Sequence, residues 1–150
     1  MARKRRGQRI HGWMPIDKPS GWTSAQVTSK VRNILDAAKA GHGGTLDPMA
    51  TGVLPIALGE ATKTVSYVMN GKKRYRFTIS WGEERTTDDL EGKITTISCH
   101  RPTKRDILMI LPEFIGAIEQ VPPDYSAIKL DGKRAYNLAR AGKDISISKR

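Results

Sequence analysis

One cysteine, Cys99, stands in a chain of 150 residues, so no internal disulfide can form. The three histidines (His11, His42, His100) and this cysteine also lack any zinc-ligand spacing. Long apolar runs are missing too: none approaches the ~20 residues a membrane span requires. No apolar stretch follows the basic N-terminus, as a secretory signal would demand. The expectation is a soluble, cytoplasmic protein in a reducing compartment, with no metal and no membrane partner. Acidic residues are scarce, 15 against 26 basic, for a net charge of +11. The imbalance is uneven. Residues 1–75 carry 13 basic and 4 acidic groups (+9), whereas residues 76–150 carry 13 and 11 (+2). Such a field suits a polyanion, most commonly nucleic acid, although a solvated basic face would look the same. Charge does not separate RNA from DNA. Nucleotide-binding fingerprints are lacking. Gly59-Glu60-Ala61-Thr62-Lys63-Thr64 lacks P-loop spacing, and Gly41-x-Gly43 lacks the third glycine of a dinucleotide site.

The cluster Arg3-Lys4-Arg5-Arg6, extended by Arg9, reads as a disordered basic arm over residues 1–9. His11 to Ile16 reads as a strand, and Asp17 to Gly21 as a turn. Thr23-Ser24-Ala25-Gln26 is a capping box opening a helix whose apolar residues Val27, Val31, Ile34, Leu35 and Ala38 recur at helical spacing. That helix should end near Gly41. Val53 to Leu58 predicts a strand and Ala61 to Met69 a short helix. Lys72 to Trp81 has the clearest period of two, with Tyr75, Phe77, Ile79 and Trp81 on one face. Ile94 to Ser98 predicts a strand, and Thr103 can cap a helix that bends or ends at Pro112. Gly116 to Val121 and Ser126 to Leu130 look like paired strands, Lys133 to Ala141 like a helix, and Asp144 to Ser148 has a strand-like alternation. Short helices among hairpin-like strands suggest an α+β fold with a mixed, largely antiparallel sheet and flanking short helices.

Chemistry is concentrated in Gly41 to Pro55. Gly43 and Gly44 permit positive φ and leave no side chain to hold a ligand away. Pro48 fixes its own φ and pushes Asp47 towards an extended conformation. Asp47 is then either a preset nucleophile or acid/base group, or a turn residue accepting local N–H bonds. Tyr75, at the start of its strand beside Lys72, Lys73 and Arg74, either packs in a core or reaches a cleft. By itself His42 is a histidine on a flexible glycine loop. The acidic residues from Glu83 to Glu91 read as a solvated loop.

These segments together resemble the TruB family of tRNA pseudouridine synthases. Ile16-Asp17-Lys18-Pro19-Ser20-Gly21-Trp22-Thr23-Ser24 is similar to the family's opening motif. Gly43 to Leu54, with Gly59-Glu60-Ala61-Thr62-Lys63, matches its catalytic motif with Asp47 in the nucleophile position. Lys73-Arg74-Tyr75 resembles the strand carrying the active-site tyrosine, and Gln120 to Lys129, with Gly132, Ala135-Tyr136 and Ala139-Arg140, a later block. The match covers residues 10 to 150, and as a set the motifs are specific. The chain departs from the family at Arg85-Thr86-Thr87-Asp88-Asp89-Leu90-Glu91-Gly92, where a Thr-Asp-Thr-x-Asp type loop is usual.

The resemblance implies the pseudouridine synthase fold, here its N-terminal portion over residues 10–150. It also implies isomerisation of the T-loop uridine at tRNA position 55, with a T-arm stem-loop as partner and a monomer when complete. Asp47 and Tyr75 would be catalytic. His42, Gly43, Gly44, Tyr75 and Lys18 would form the substrate-binding set, with Lys18-Pro19 mainly supporting the loop. Uracil detaches from ribose and rejoins through C5 with no atom lost and no redox step, so no cofactor is expected. The family's later Lys-Gly-Thr-Tyr-x-Arg type motif, whose arginine would pair with a buried Asp47, and its PUA domain are expected beyond Arg150; this portion alone is expected to be inactive. The rival reading is a small basic RNA-binding module of ribosomal type, without catalysis.

Overall fold

The computed structural model describes residues 7–122, 128–130, 132–141 and 147–149. The chain divides into two units, residues 1–75 and 76–150, each described by itself.

The first unit is built on a three-stranded antiparallel sheet of order β1-β3-β2, with β1 at Gly12–Lys18, β2 at Ala40–His42 and β3 at Gly52–Leu58. The register runs from Gly12↔Leu58 to Lys18↔Gly52 and places Pro15 opposite Pro55. A proline in a central strand forfeits a ladder bond. The Pro55 carbonyl accepts the Gly43 N–H at 2.8 Å, so residue 55 turns its main-chain polar groups towards β2. The two proline rings therefore meet where β1 and β3 exchange no bond. Helix α1, Ser24–Ile34, packs on this sheet. Val27, Ala37, Leu54, Ile56 and Leu58 are buried, with Ile16, Val31, Leu35 and Leu46 packed around them. The expected capping box is present: the Gln26 N–H donates to Thr23 Oγ1 at 3.2 Å and the Thr23 N–H to Gln26 Oε1 at 2.8 Å.

Four sequence expectations from this part of the chain are corrected. Helix α1 ends at Ile34 rather than near Gly41, because Asp36 adopts a left-handed φ of 45°. Its N–H and that of Ala37 then return to the Asn33 and Arg32 carbonyls, closing a Schellman motif. A motif with Asp in place of the usual glycine gives no warning in the sequence. Gln8, assigned to the basic arm, pairs in parallel with Ala37. Finally, residues 72–80 form no strand; all are exposed. Alternation supplies a face but not a ladder, and no neighbouring strand among the described residues offers one. Gly59–Thr64 is a 3-10 turn leading into α2, Val65–Met69, in place of one helix from Ala61.

In the second unit β4, Glu83–Arg85, pairs with β5, Ile94–Ile97. Two acids of this segment are bonded locally: Glu83 pairs with Arg85, and Asp89 accepts from Thr87 Oγ1 and the Glu91 N–H. Helix α3, Lys104–Ile110, opens on a Thr103–Asp106 capping box. The Thr103 N–H and hydroxyl hold the Asp106 carboxyl below the usual carboxylate range. As Pro112 predicts, α3 gives way to a 3-10 turn at Leu111–Phe114. Gly116 to Val121 is not a strand. Instead β6, Lys129–Leu130, pairs with β7, Lys133–Arg134, and α4 follows at Ala135–Arg140. The expected features at residues 123–127 and 142–146 lie outside the described residues. The result is mixed α+β with antiparallel sheets and short helices, as the sequence implied.

Candidate active site

Asp47 opens a tight turn. The Ala50 N–H donates to the Asp47 carbonyl at 3.1 Å, with Pro48 in the second position where its fixed φ fits. The loop's preceding residue, Leu46, drops its side chain onto the core, while Asp47, Pro48 and Met49 are exposed. The carboxylate of Asp47 accepts no hydrogen bond and joins no salt bridge among the described residues. The alternative reading, a turn held by the Asp side chain, is therefore not what is built. The main chain makes the turn and leaves the acid free. Asp47 is also solvated in this chain, so the expectation that burial would demand a cationic partner is not met here.

The backbone around that acid is fastened by the segment following β1. Lys18 has no exposed surface, and its Nζ donates to three carbonyls: Trp22 at 2.6 Å, Pro19 at 2.9 Å and Pro48 at 3.1 Å. An ammonium has three N–H groups, and all three are used. The Gly21 N–H reaches the same Pro48 carbonyl at 2.8 Å, and the Ser20 hydroxyl donates to the Met49 carbonyl at 3.2 Å. Gly21 can make this turn because its φ is 83°. On the other side of Asp47, the Ser24 hydroxyl donates to the Leu46 carbonyl at 3.1 Å and accepts the Leu46 N–H at 2.9 Å. Lys18 is thus a support, as its motif suggested, and has neither surface nor donor left for a substrate.

His42 ends strand β2 opposite Ile56, so it stands on a sheet and not on a flexible loop. Its Nδ1 lies 2.5 Å from the Gly44 carbonyl. A carbonyl only accepts, so in this contact Nδ1 donates and Nε2 is the ring's remaining polar atom. Gly43 is buried, and a β-carbon there would lie 3.0 Å from Val68 Cγ1 and 3.4 Å from Trp13 Cζ3. Tyr75 is 69% exposed at the end of the first unit, and its hydroxyl makes no hydrogen bond among the described residues. The structure therefore ties Lys18 to the Asp47 turn through the Pro48 carbonyl, bonds His42 to Gly44 and Gly43 to Pro55 as a separate set, and leaves Tyr75 in neither.

Sequence reasoning passed over Ser24, reading it only as part of a capping box. A signal was present. Ser24 precedes Val27 by three residues and Val31 by seven, which puts a polar side chain on the buried face of α1. Among the described residues no group of three or more His, Cys, Asp or Glu is placed to hold a metal, and no helix is long and apolar enough to cross a membrane.

Comparison with known proteins is consistent with this geometry. The family described as "TruB family pseudouridylate synthase (N terminal domain)" matches residues 32–150. A protein of Bartonella quintana named tRNA pseudouridine synthase B is 59% identical over 148 residues, covering 99% of this chain and 55% of its own length. One of the same name from Rhodospirillum rubrum is 58% identical over 150 residues, covering 100% of this chain and 49% of its own length. The chain thus spans about half the length of the curated relatives it matches. Among solved structures, a chain in the crystal structure of a Cbf5-Nop10-Gar1 complex aligns with a TM-score of 0.54 and 33% identity, covering 79% of this chain and 31% of that one.

Proposed function

Since the chain belongs to the TruB family of pseudouridylate synthases, we propose that the whole protein converts a uridine of tRNA to pseudouridine, with Asp47 as nucleophile or base. The observation that carries this reading is a carboxylate that bonds nothing among the described residues, on a turn fixed from both sides. Such a group breaks no bond to the described residues when substrate arrives and has only its hydration to exchange. In the reaction the N1–C1′ bond breaks, uracil turns, and a C5–C1′ bond forms. The C5 proton leaves and N1 regains a proton, so the formula is unchanged. An exposed carboxylate can begin this by attack or by removing a sugar proton.

A base in a folded loop must be turned out first, at a cost of a few kcal/mol. Stacking on an aromatic ring returns about 1–3 kcal/mol. Tyr75 is proposed for that platform and for removal of the C5 proton. His42, fixed by Gly44, is proposed to contact the substrate through Nε2. The T-loop uridine at tRNA position 55, a T-arm stem-loop substrate, monomeric action and a cytoplasmic setting extend the proposal through the sequence resemblance.

In the full-length protein, Asp47→Asn keeps the side-chain shape and removes its charge. RNA binding should survive while pseudouridine formation disappears from a single-turnover assay. Retained turnover would remove Asp47 from the mechanism. RNA binding with no turnover by the unmodified full-length protein would favour a non-catalytic RNA-binding module instead.

A further inference from the structure

We propose that Ser24 is a positioning residue for the reaction at Asp47, an inference that rests on the reading of Asp47 as the reacting group. Ser24 is 2% exposed at the first turn of α1. One hydroxyl there satisfies both the N–H (2.9 Å) and the carbonyl (3.1 Å) of Leu46, 22 residues along the chain. The Leu46 carbonyl belongs to the peptide plane that ends at the Asp47 Cα, so holding that oxygen sets the direction in which the acid leaves the chain. The hydroxyl itself hangs from a fixed support. The Thr23–Gln26 capping box locks the start of the helix, and Thr28 Oγ1 donates to the Ser24 carbonyl at 2.8 Å. Lys18 and Gly21 hold the Pro48 carbonyl, on the other side of the acid. Without Ser24, nothing else among the described residues bonds either polar group of Leu46, and the 46–47 peptide plane loses its hydrogen-bonded restraint.

Rotation there displaces the carboxylate without removing any surface that RNA touches. Misplacement of a reacting group by about 1 Å lowers a rate on the order of 100-fold. The test uses full-length protein carrying Ser24→Ala, Ser24→Thr or Ser24→Cys, with Asp47→Asn alongside. Single-turnover rates, T-arm RNA affinity and thermal unfolding are measured for each, with rates taken well below every unfolding midpoint. Ser24→Ala should lose roughly 10- to 100-fold in rate with unchanged affinity. Ser24→Thr, which keeps the hydroxyl, should recover most of the rate. Ser24→Cys fills the site with a weak hydrogen-bonding group and should remain slow even if the alanine variant fails to fold. A serine-like rate for cysteine, or a rate loss that tracks only the unfolded fraction, would overturn the proposal while Asp47→Asn stays inactive. Turnover by Asp47→Asn would instead overturn the reading of Asp47, and this inference with it.

Discussion

Lys18 Nζ and the Pro48 carbonyl lie 3.1 Å apart, joining the end of β1 to the residue after Asp47. A fully buried cation faces no carboxylate here; three main-chain oxygens solvate it instead. Replacing Lys18 by Met preserves much of the volume but strands the Trp22, Pro19 and Pro48 carbonyls. Losing charged hydrogen bonds of this kind should destabilise the full-length protein by about 3 kcal/mol. Lys18→Arg should not rescue it, because a planar guanidinium cannot place three donors around one point. Urea unfolding midpoints check both; wild-type stability in Lys18→Met would show the amine to be dispensable.

Gly43 and Gly44 should fail for different reasons. Alanine at 43 meets Val68 Cγ1 at 3.0 Å, an overpacking cost of about 1–3 kcal/mol. Alanine at 44 meets nothing within 4 Å, yet must hold a φ of 149°. Trimming Val68 to Ala removes Cγ1 but leaves Cβ at 3.3 Å, so it should relieve Gly43→Ala in part and leave Gly44→Ala unchanged. Equal response of both variants to Val68→Ala, in thermal unfolding, would contradict this division.

Tyr75 offers a ring that is largely in solvent. Tyr75→Phe keeps the platform and loses the hydroxyl, whereas Tyr75→Ala loses both. The alanine variant should weaken binding of a trapped substrate analogue by about 1–3 kcal/mol, and phenylalanine much less. Equal affinities for all three proteins would remove the stacking role.

Gln8 bridges to Ala37, so a deletion that spares this bridge stops at residue 6. Deleting residues 1–6 removes Arg3, Lys4, Arg5 and Arg6 without disturbing that bridge. Affinity of the full-length protein for a T-arm stem-loop should fall steeply with salt, each phosphate contact contributing a slope of roughly 0.7–0.9. The deletion should flatten that slope and leave the chemical step intact. Binding indifferent to salt would contradict a polyanion partner.

The 150-residue chain alone should convert no uridine. Phe77 (75%), Ile97 (75%), Phe114 (65%) and Ile115 (75%) are among many large apolar side chains left in solvent in its second unit. Surfaces of that kind mark missing partners or association. The isolated chain should bind a hydrophobic dye strongly and yield no pseudouridine from a T-arm RNA that the full-length protein modifies. Multiple turnover by the chain alone would show that it carries every group the reaction needs.

The sequence was most informative where the physics is local. The Thr23 and Thr103 boxes and the Pro112 stop depend on residues a few positions apart, and each is found as expected. Reading failed where a long-range partner decides. Alternation at 72–81 matched a strand, yet a strand exists only with a ladder, and none adjoins it among the described residues. Ser126 to Leu130 was matched to Gly116 to Val121, but the short Asp131-Gly132 connection lets β6 pair with β7 instead. Motif resemblance points to Asp47, whereas the hydroxyl that holds Leu46 lies 22 residues away and shows in the sequence only as a polar residue on an apolar helical stripe.

The bonds that shape the Asp47 turn all join residues between 18 and 55. Synthesis proceeds from the N-terminus, so this hardware is complete in the nascent polypeptide before the second unit has been translated. At about 5–20 residues per second, a ribosome needs several seconds more to reach residue 150. The turn that presents Asp47 therefore has all its bonding partners in hand at that stage.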